Sequence, residues 1–248
     1  MNPEQIALLV AGGLTAGIVN TLAGGGSLLT VPLLVLVGLP GTVANGTNRL
    51  GVLLQSAVAA RRFRAEGVPG VRSALPVLLP VALGSFAGSF VISQISDQTF
   101  EKVFGVVMVG LLIFILRRPA TSRSQVAAAR SWSAPAAFLI FFSVGVYGGA
   151  FQAGVGIAIV FALSYTGYDL IKANSIKVVV NTVLTLVAVP VFIAQGQIAW
   201  LPGVVLAAGF GLGGELGARL AVHGGERVIR PVLAASVLAL AGRMMGLY

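Results

Sequence analysis

The sequence predicts an all-α polytopic membrane protein that contains two related repeats inserted in opposite orientations. Hydrophobic residues make up 57% of the 248 residues, and the mean hydropathy is +0.98. Charged residues make up only 9%, whereas a soluble domain carries about 25%. In addition, the second half of the sequence aligns with the first half without gaps. The basic residues of the two halves lie in loops that are not equivalent in this alignment.

Each half contains five apolar segments. The second segment of each half is shorter than the about 20 residues that a full crossing needs, and it follows a Gly-rich break. We therefore expect this segment to be a discontinuous or hairpin helix. The predicted segments are 5–23, 26–39, 44–60, 73–93 and 99–116 in the first half and 134–152, 155–168, 173–193, 202–221 and 228–247 in the second.

The internal repeat depends on matches between polar or small residues, because apolar matches are common in any membrane protein. The matching offset aligns Asn45 with Asn174 (174 − 45 = 129), and it also aligns Gly84 with Gly213 and Gly88 with Gly217. These matches predict a first repeat at 1–118, a basic connector at 119–131 and a second repeat at 132–248.

The orientation of the repeats follows from their loops. The loop 61–72 contains four arginines and one glutamate, whereas its counterpart 190–201 contains no charged residue. The connector is also basic, with Arg117, Arg118, Arg123 and Arg130. If basic loops are cytoplasmic, an odd number of crossings per repeat places both chain termini outside.

Composition also argues against several classes of protein. The net charge of +9 comes from arginines in short loops, which is typical of membrane topology rather than of nucleic-acid binding. The chain has no cysteine and few acidic residues, so we expect no metal site and no cofactor. We expect no enzyme either, because the one candidate nucleophile, Ser27, has no base besides the distant His223. The first segment lacks the features of a signal peptide.

The Gly breaks are the first candidates for a binding site. Gly24, Gly25 and Gly26 precede Ser27 and open a helix whose free N–H groups would favour an anion. The alternative is that these glycines only allow close helix packing. For Gly84 and Gly88, and for their counterparts in the second repeat, the small-xxx-small spacing favours packing.

Amides and one cation stand near the start of the third segment of each repeat. Asn45 and Arg49 share a helix face, as do Asn174 and Lys177, and such groups together suit a small oxyanion. The alternative is that both cations extend to the lipid headgroups. Further polar residues are Asn48, Asn181, Gln152, which precedes the break at Gly154, and Gln55. The two glutamines could instead form interhelical hydrogen bonds.

Glu215 is the one acidic residue well inside an apolar segment. Arg219 follows it by one helical turn, so an intramembrane ion pair is the simplest interpretation. A proton-coupling carboxylate is the alternative, although Phe86 occupies the matching position in the first repeat.

The segment Gly17–Pro32, followed by Ala44–Arg49, resembles the signature of the TauE/SafE sulfite exporter family, also called TSUP permeases. Gly154, Gly156, Asn174 and Lys177 are similar to the second repeat of that family. The resemblance implies a multi-pass protein of the bacterial inner membrane that transports sulfite, sulfoacetate or another sulfur-containing anion with an ion gradient. It leaves the substrate and the direction open.

Together these observations predict a secondary carrier of small anions that works by alternating access. A passive anion channel and a structural membrane scaffold are the alternatives. The expected partners are the anion and the bilayer, while the coupling ion, proton or sodium, and homo-oligomerisation stay open. The predicted binding residues are Gly24, Gly25, Gly26, Ser27, Asn45, Asn48, Arg49, Gln152, Gly154, Asn174, Lys177 and Asn181, with Glu215 and Arg219 as candidates for coupling.

Overall fold

The computed structural model describes the backbone of residues 1–116 and 132–244 and the side chains of 1–110 and 132–224. The described backbone is helical and contains no strand. Its helices are α1 (Pro3–Leu22), α2 (Ser27–Leu36), α3 (Gly41–Ala65), α4 (Val71–Ile92), α5 (Asp97–Leu116), α6 (Ala134–Phe151), α7 (Val155–Tyr165), α8 (Leu170–Ala194) and α9 (Trp200–Met244).

The predicted break between the last two segments of the second repeat was wrong. Segment 202–221 and the described part of segment 228–247 belong to the single helix α9, which extends from Trp200 to Met244. In the first repeat the Ser96 hydroxyl accepts a hydrogen bond from the Thr99 amide (3.3 Å) at the start of α5. The matching position is Gly225, which offers no acceptor and weakens a helix without preventing it.

Five helices are long and apolar enough to cross a membrane, among the residues that the structure describes. They are α1, α4, α6, α8 and the part of α9 at Trp200–Gly224. This confirms a polytopic helical membrane protein. The opposite insertion of the two repeats stays a prediction, and the connector arginines lie outside the described residues.

The short helices α2 and α7 fold back along their predecessors. Gly26, just before α2, lies against Ala16 of α1, whereas Leu33 near the end of α2 lies against Gly12, earlier in α1. The two helices therefore run in opposite directions. In the second repeat the Trp132 ring, just before α6, stacks at 4.3 Å on Tyr165 at the end of α7. Each repeat therefore begins with a helical hairpin, α1–α2 or α6–α7.

The buried helices α3 and α8 run antiparallel. The Ala199 amide, beyond the end of α8, donates to the Thr47 hydroxyl near the start of α3 (2.9 Å). Conversely, the Ser175 hydroxyl near the start of α8 donates to the Val68 carbonyl beyond the end of α3 (2.5 Å). The loop after each helix thus covers the first turns of the other.

Glycines bring the hairpins against the fourth helix of the opposite repeat. α1 packs on α9 and α6 packs on α4. A Cβ atom at Gly84 or Gly88 would overlap the backbone of α6, and one at Gly213 would overlap the backbone of α1. The predicted packing role of these glycines is confirmed.

Candidate functional site

The tips of the two hairpins meet in the interior. Residues 23–26 and 152–156 are all buried. Gly24 has a φ of 86°, and a Cβ atom there would lie 2.5 Å from the carbonyl carbon of Gly156. Side chains larger than hydrogen do not fit between the tips at this point, because backbone faces backbone. The two Gly breaks singled out in the sequence therefore contact each other.

Arg49 of α3 binds the end of α6, which belongs to the other repeat. Its Nη1 donates to the Gly148 carbonyl and to Gln152 Oε1 (both 3.1 Å), and its Nη2 donates to the carbonyls of Gly149 (2.5 Å) and Ala150 (3.1 Å). Carbonyls in the last turn of a helix lack intrahelical partners and carry the negative end of the helix dipole. Arg49 therefore caps the first arm of the α6–α7 hairpin.

Two neighbours complete this contact. Asn45, one turn before Arg49, donates from Nδ2 to the Ala150 carbonyl (2.8 Å). The guanidinium of Arg49 lies 4.5 Å from the centroid of the Phe192 ring, on α8. A cation over an aromatic face is stabilised by the ring quadrupole. Helix α8 thus supports the cation of α3 while that cation holds α6.

Lys177 of α8 binds the end of α1 in the same way. Its Nζ donates to the carbonyls of Asn20 (2.9 Å) and Thr21 (2.6 Å) and to Asn174 Oδ1 (2.6 Å). At the repeat offset, Asn20 and Thr21 align with Gly149 and Ala150, two of the residues that Arg49 binds. The cation of each repeat therefore caps the equivalent two carbonyls of the other repeat.

Both cations are completely buried, with 0% of their surface exposed. The alternative that they extend to the lipid headgroups was therefore wrong. Within the described side chains neither cation forms an ion pair with a carboxylate. A helix C-terminus supplies only about half a negative charge. Among the described side chains, the positive charge of the two cations is therefore only partly compensated.

The remaining amides predicted for the site, Asn48 and Asn181, lie on the same helices as the two cations. Asn48 donates from Nδ2 to the Ser27 hydroxyl (3.0 Å) and accepts from the Thr30 hydroxyl (2.5 Å), which joins the start of α2 to α3. Asn181 is buried one turn beyond Lys177. Several buried polar atoms of the predicted residues have no hydrogen-bond partner, namely Asn45 Oδ1, Arg49 Nε, Asn174 Nδ2 and Asn181 Oδ1.

Gln55 has the interhelical role that was the alternative for it. Its Oε1 accepts from Asn20 Nδ2, and its Nε2 donates to the Thr21 hydroxyl (both 2.6 Å). Sequence reasoning did not select Asn20 and Thr21, nor the Arg49 neighbour Phe192. The signal for Asn20 and Thr21 was their position just before the Gly break, where helix carbonyls lose their partners.

Glu215 and Arg219 form the predicted ion pair, with Oε1 and Nη2 3.0 Å apart. Glu215 also lies 3.4 Å from Arg62, near the end of α3, and the side chains of Glu215 and Arg219 are 34% and 52% exposed. The side chain of His223 is 69% exposed and lies 3.9 Å from Glu66. This group of charges makes no recorded contact with Arg49 or Lys177 in the described part of the chain.

Comparisons with known proteins found a matching family model and several similar proteins. The family model for the sulfite exporter TauE/SafE matches residues 9–244. The chain is 29% identical over 243 residues to a probable membrane transporter protein of Haemophilus influenzae, covering 98% of this chain and 95% of the relative. It is 25% identical to the probable membrane transporter protein ORF9 of a Sinorhizobium species, covering 97% of this chain and 92% of the relative.

A third relative is the probable membrane transporter protein YfcA of Escherichia coli K12, which is 24% identical, with 94% of this chain and 87% of the relative covered. No solved structure matches the chain. The relatives are named as transporters, which are not enzymes, and the match spans the helices that carry both cations. The chain belongs to the TauE/SafE sulfite exporter family of membrane transporters.

Proposed function

We propose that this transporter is a secondary carrier for a small anion such as sulfite, sulfoacetate or another organosulfonate. The observation that carries the proposal is the pair of completely buried cations, Arg49 and Lys177, without a carboxylate partner among the described side chains. A buried charge that is only partly compensated is unfavourable by several kcal/mol, on the order of magnitude known for buried ions. A bound anion would supply the missing compensation.

The hydrogen-bonding groups support an oxyanion rather than a halide. Arg49 Nε and Asn174 Nδ2 are buried donors without a partner. Arginine presents a planar fork that matches a carboxylate or sulfonate, and amide donors add direction to the charge. An oxyanion that enters between the tips would satisfy these donors, whereas a spherical ion would satisfy fewer of them.

Alternating access is the part of the proposal that the hairpins support. Asn45, Arg49, Gln152, Asn174 and Lys177 are at most 2% exposed, so neither side of the molecule gives access to them in this conformation. A substrate can reach such residues only when one hairpin tip moves. Hairpins that meet near the middle of a transporter are suited to opening one at a time.

We further propose coupling to a gradient of protons or sodium ions. Moving one negative charge inward against a negative-inside potential is unfavourable by about 2.3 kcal/mol per 100 mV. Accumulation of the anion inside the cell therefore requires a driving ion, whereas the potential itself favours export. The group around Glu215 lies apart from the hairpin tips, and we assign no coupling role to it.

Counterflow in proteoliposomes tests the proposal. Vesicles loaded with unlabelled sulfite or sulfoacetate should accelerate the entry of the labelled anion, and Arg49→Ala or Lys177→Ala should abolish this acceleration. Lys172→Ala is the matched control, because Lys172 also lies on α8 but binds the Pro69 carbonyl in the loop. Large anion currents without counterflow would instead indicate a channel.

A thermal-shift screen identifies the substrate independently of transport. Sulfite, sulfoacetate, thiosulfate and short carboxylates are added to purified protein, and a ligand of the folded state raises the apparent melting temperature. The proposal expects at least one of these anions to stabilise the parent chain and to lose that effect in Arg49→Ala. No stabilisation by any anion would contradict it.

A further inference from the structure

We propose that Arg49 and Lys177 are latches for two gates, each holding closed the hairpin of the opposite repeat, and that the transported anion opens a hairpin by replacing its carbonyls on the cation. Arg49 holds the α6–α7 hairpin and Lys177 holds the α1–α2 hairpin. This inference rests on the proposed function, because it uses the same two cations, but it assigns them different gates.

The first step of the argument is the identity of the groups that the cations bind. In the closed conformation, Arg49 and Lys177 each bind two consecutive carbonyl oxygens of a hairpin arm, at positions related by the repeat offset. Sulfite and sulfonates present three oxygens that accept the same donors. Such an anion carries at least one full negative charge, whereas a helix end carries about half. The anion is therefore the stronger ligand, and exchange releases the helix end.

The second step is that the two hairpins open at opposite ends of the molecule. α2 is joined to the start of α3 by residues 37–40, and α7 is joined to the start of α8 by residues 166–169. Because α3 and α8 are antiparallel, their starts lie at opposite ends of the pair. The bases of the two hairpins therefore face opposite sides, and each cation controls one of them.

The third step explains why one hairpin can open while the other stays closed. The tips contact each other at Gly24 and Gly156, but each is also held by its own cation. Breaking the Lys177 bonds leaves the α1–α2 tip held to α3 only by the neutral hydrogen bonds of Gln55 and Asn48. The four bonds of Arg49 to α6 and Gln152 stay intact. Independent latches on opposed gates are what alternating access requires.

Cysteine labelling tests the assignment directly, because the natural chain contains no cysteine. Ala23→Cys and Ala153→Cys place one reporter in each tip, where both alanines are at most 1% exposed. Each reporter is combined with Lys177→Ala, Arg49→Ala or the control Lys172→Ala. A membrane-impermeant maleimide is then added to one side of reconstituted vesicles, and the labelling rate is measured.

We expect a crossed pattern. Lys177→Ala should raise the labelling rate of the Ala23→Cys reporter about tenfold, since charge-assisted hydrogen bonds of this kind shift an equilibrium by that order. Arg49→Ala should do the same for the Ala153→Cys reporter, from the opposite side of the membrane. Lys172→Ala should change neither. If Arg49→Ala fails to assemble, Arg49→Lys replaces it, with a smaller rise expected because only the fork is lost.

Equal labelling of both reporters in either variant, or no change in both, would overturn the latch assignment. The second arm adds sulfoacetate, which does not react with maleimide, to the reporters that keep both cations, and labelling should rise. No rise with an anion that stabilises the protein would overturn the exchange mechanism. A crossed pattern without anion counterflow would support the latches and contradict the proposed function, so the two failures are distinguishable.

Discussion

The Arg49 and Lys177 sites hold equivalent helix ends with different chemistry. The guanidinium of Arg49 reaches three carbonyls and Gln152, lies over Phe192, and keeps one donor, Nε, without a partner. The ammonium of Lys177 has three donors and uses all of them on Asn20, Thr21 and Asn174. The guanidinium makes a broader set of contacts and keeps an unused donor, whereas the ammonium makes a compact set and uses every donor.

The difference between the two sites shows which of their parts correspond at the repeat offset. At the repeat offset Lys177 aligns with Asn48, and Arg49 aligns with Val178, so the two cations occupy neighbouring rather than matching positions. The carbonyls that they bind do match. The repeat therefore preserves the need for a cation at the helix end, while the residue that supplies it differs between the halves.

The largest expected effect comes from removing each cation. Arg49→Ala leaves three carbonyls and Gln152 without their donor, and we expect a loss of about 3 kcal/mol in unfolding free energy. Lys177→Ala removes a smaller set of bonds and should lose about 2 kcal/mol. Unfolding in mixed micelles with rising SDS fraction measures both. A larger loss for Lys177→Ala would reverse the comparison.

The second-largest effect concerns the contact between the two hairpin tips, and it distinguishes the Lys177 site from the Arg49 site. A Cβ atom at Gly156 would lie 2.6 Å from Gly24 Cα and 3.1 Å from Lys177 Cδ. Gly156→Ala should therefore displace Lys177 more than Arg49 and destabilise the protein by about 2 kcal/mol. Gly25→Ala is the control, since its Cβ would meet only Leu28 Cδ1 at 3.5 Å. The same SDS titration should find Gly25→Ala nearly unchanged.

A smaller effect tests the contribution of Phe192, whose ring lies beside the guanidinium of Arg49. Phe192→Leu should cost about 1 kcal/mol more than Phe63→Leu, because a desolvated cation–π contact is worth that order. Phe63 occupies the matching position in the first repeat and is equally buried at 0% exposure. Equal losses in the two variants would remove the aromatic ring from the comparison.

The smallest effect is expected away from both cations. Glu215→Gln breaks ion pairs whose side chains are between 25% and 52% exposed. Pairs of this exposure contribute little, so the unfolding free energy should change by less than about 0.5 kcal/mol. Anion counterflow should persist. If the variant abolished gradient-driven accumulation, Glu215 would gain the coupling role that its position does not favour.

The sequence was sufficient to predict most of the fold. Hydrophobic segments, short second helices and Gly breaks gave eight of the nine described helices close to their observed bounds, because apolar length and glycine act locally. The continuity of α9 was missed, since Gly224 and Gly225 resemble a break but remain compatible with helical geometry. No local pattern distinguishes a weakened helix from an interrupted one.

The sequence singled out Arg49, Lys177 and their neighbouring amides, whose role in binding stays a prediction, but it did not predict their contacts. Arg49 and Lys177 were singled out because each stands with amides near the start of an apolar segment. Their ligands are backbone carbonyls that lie 99 to 157 residues away in the chain. A carbonyl belongs to every residue type, so sequence alone gives no sign of which helix end a cation will hold.

The long separation between Arg49 and its ligands has a consequence for biosynthesis. Helix α3 contains Arg49 together with three further arginines near its end, and it is not among the five helices that are apolar enough to cross a membrane. An arginine at the centre of an inserting helix is unfavourable by about 2.5 to 3.5 kcal/mol. The α6 carbonyls that offset this are synthesised 99 to 101 residues later. Lys177, by contrast, emerges when α1 is already present. Until the second repeat is synthesised, the first repeat therefore lacks the carbonyls that hold Arg49.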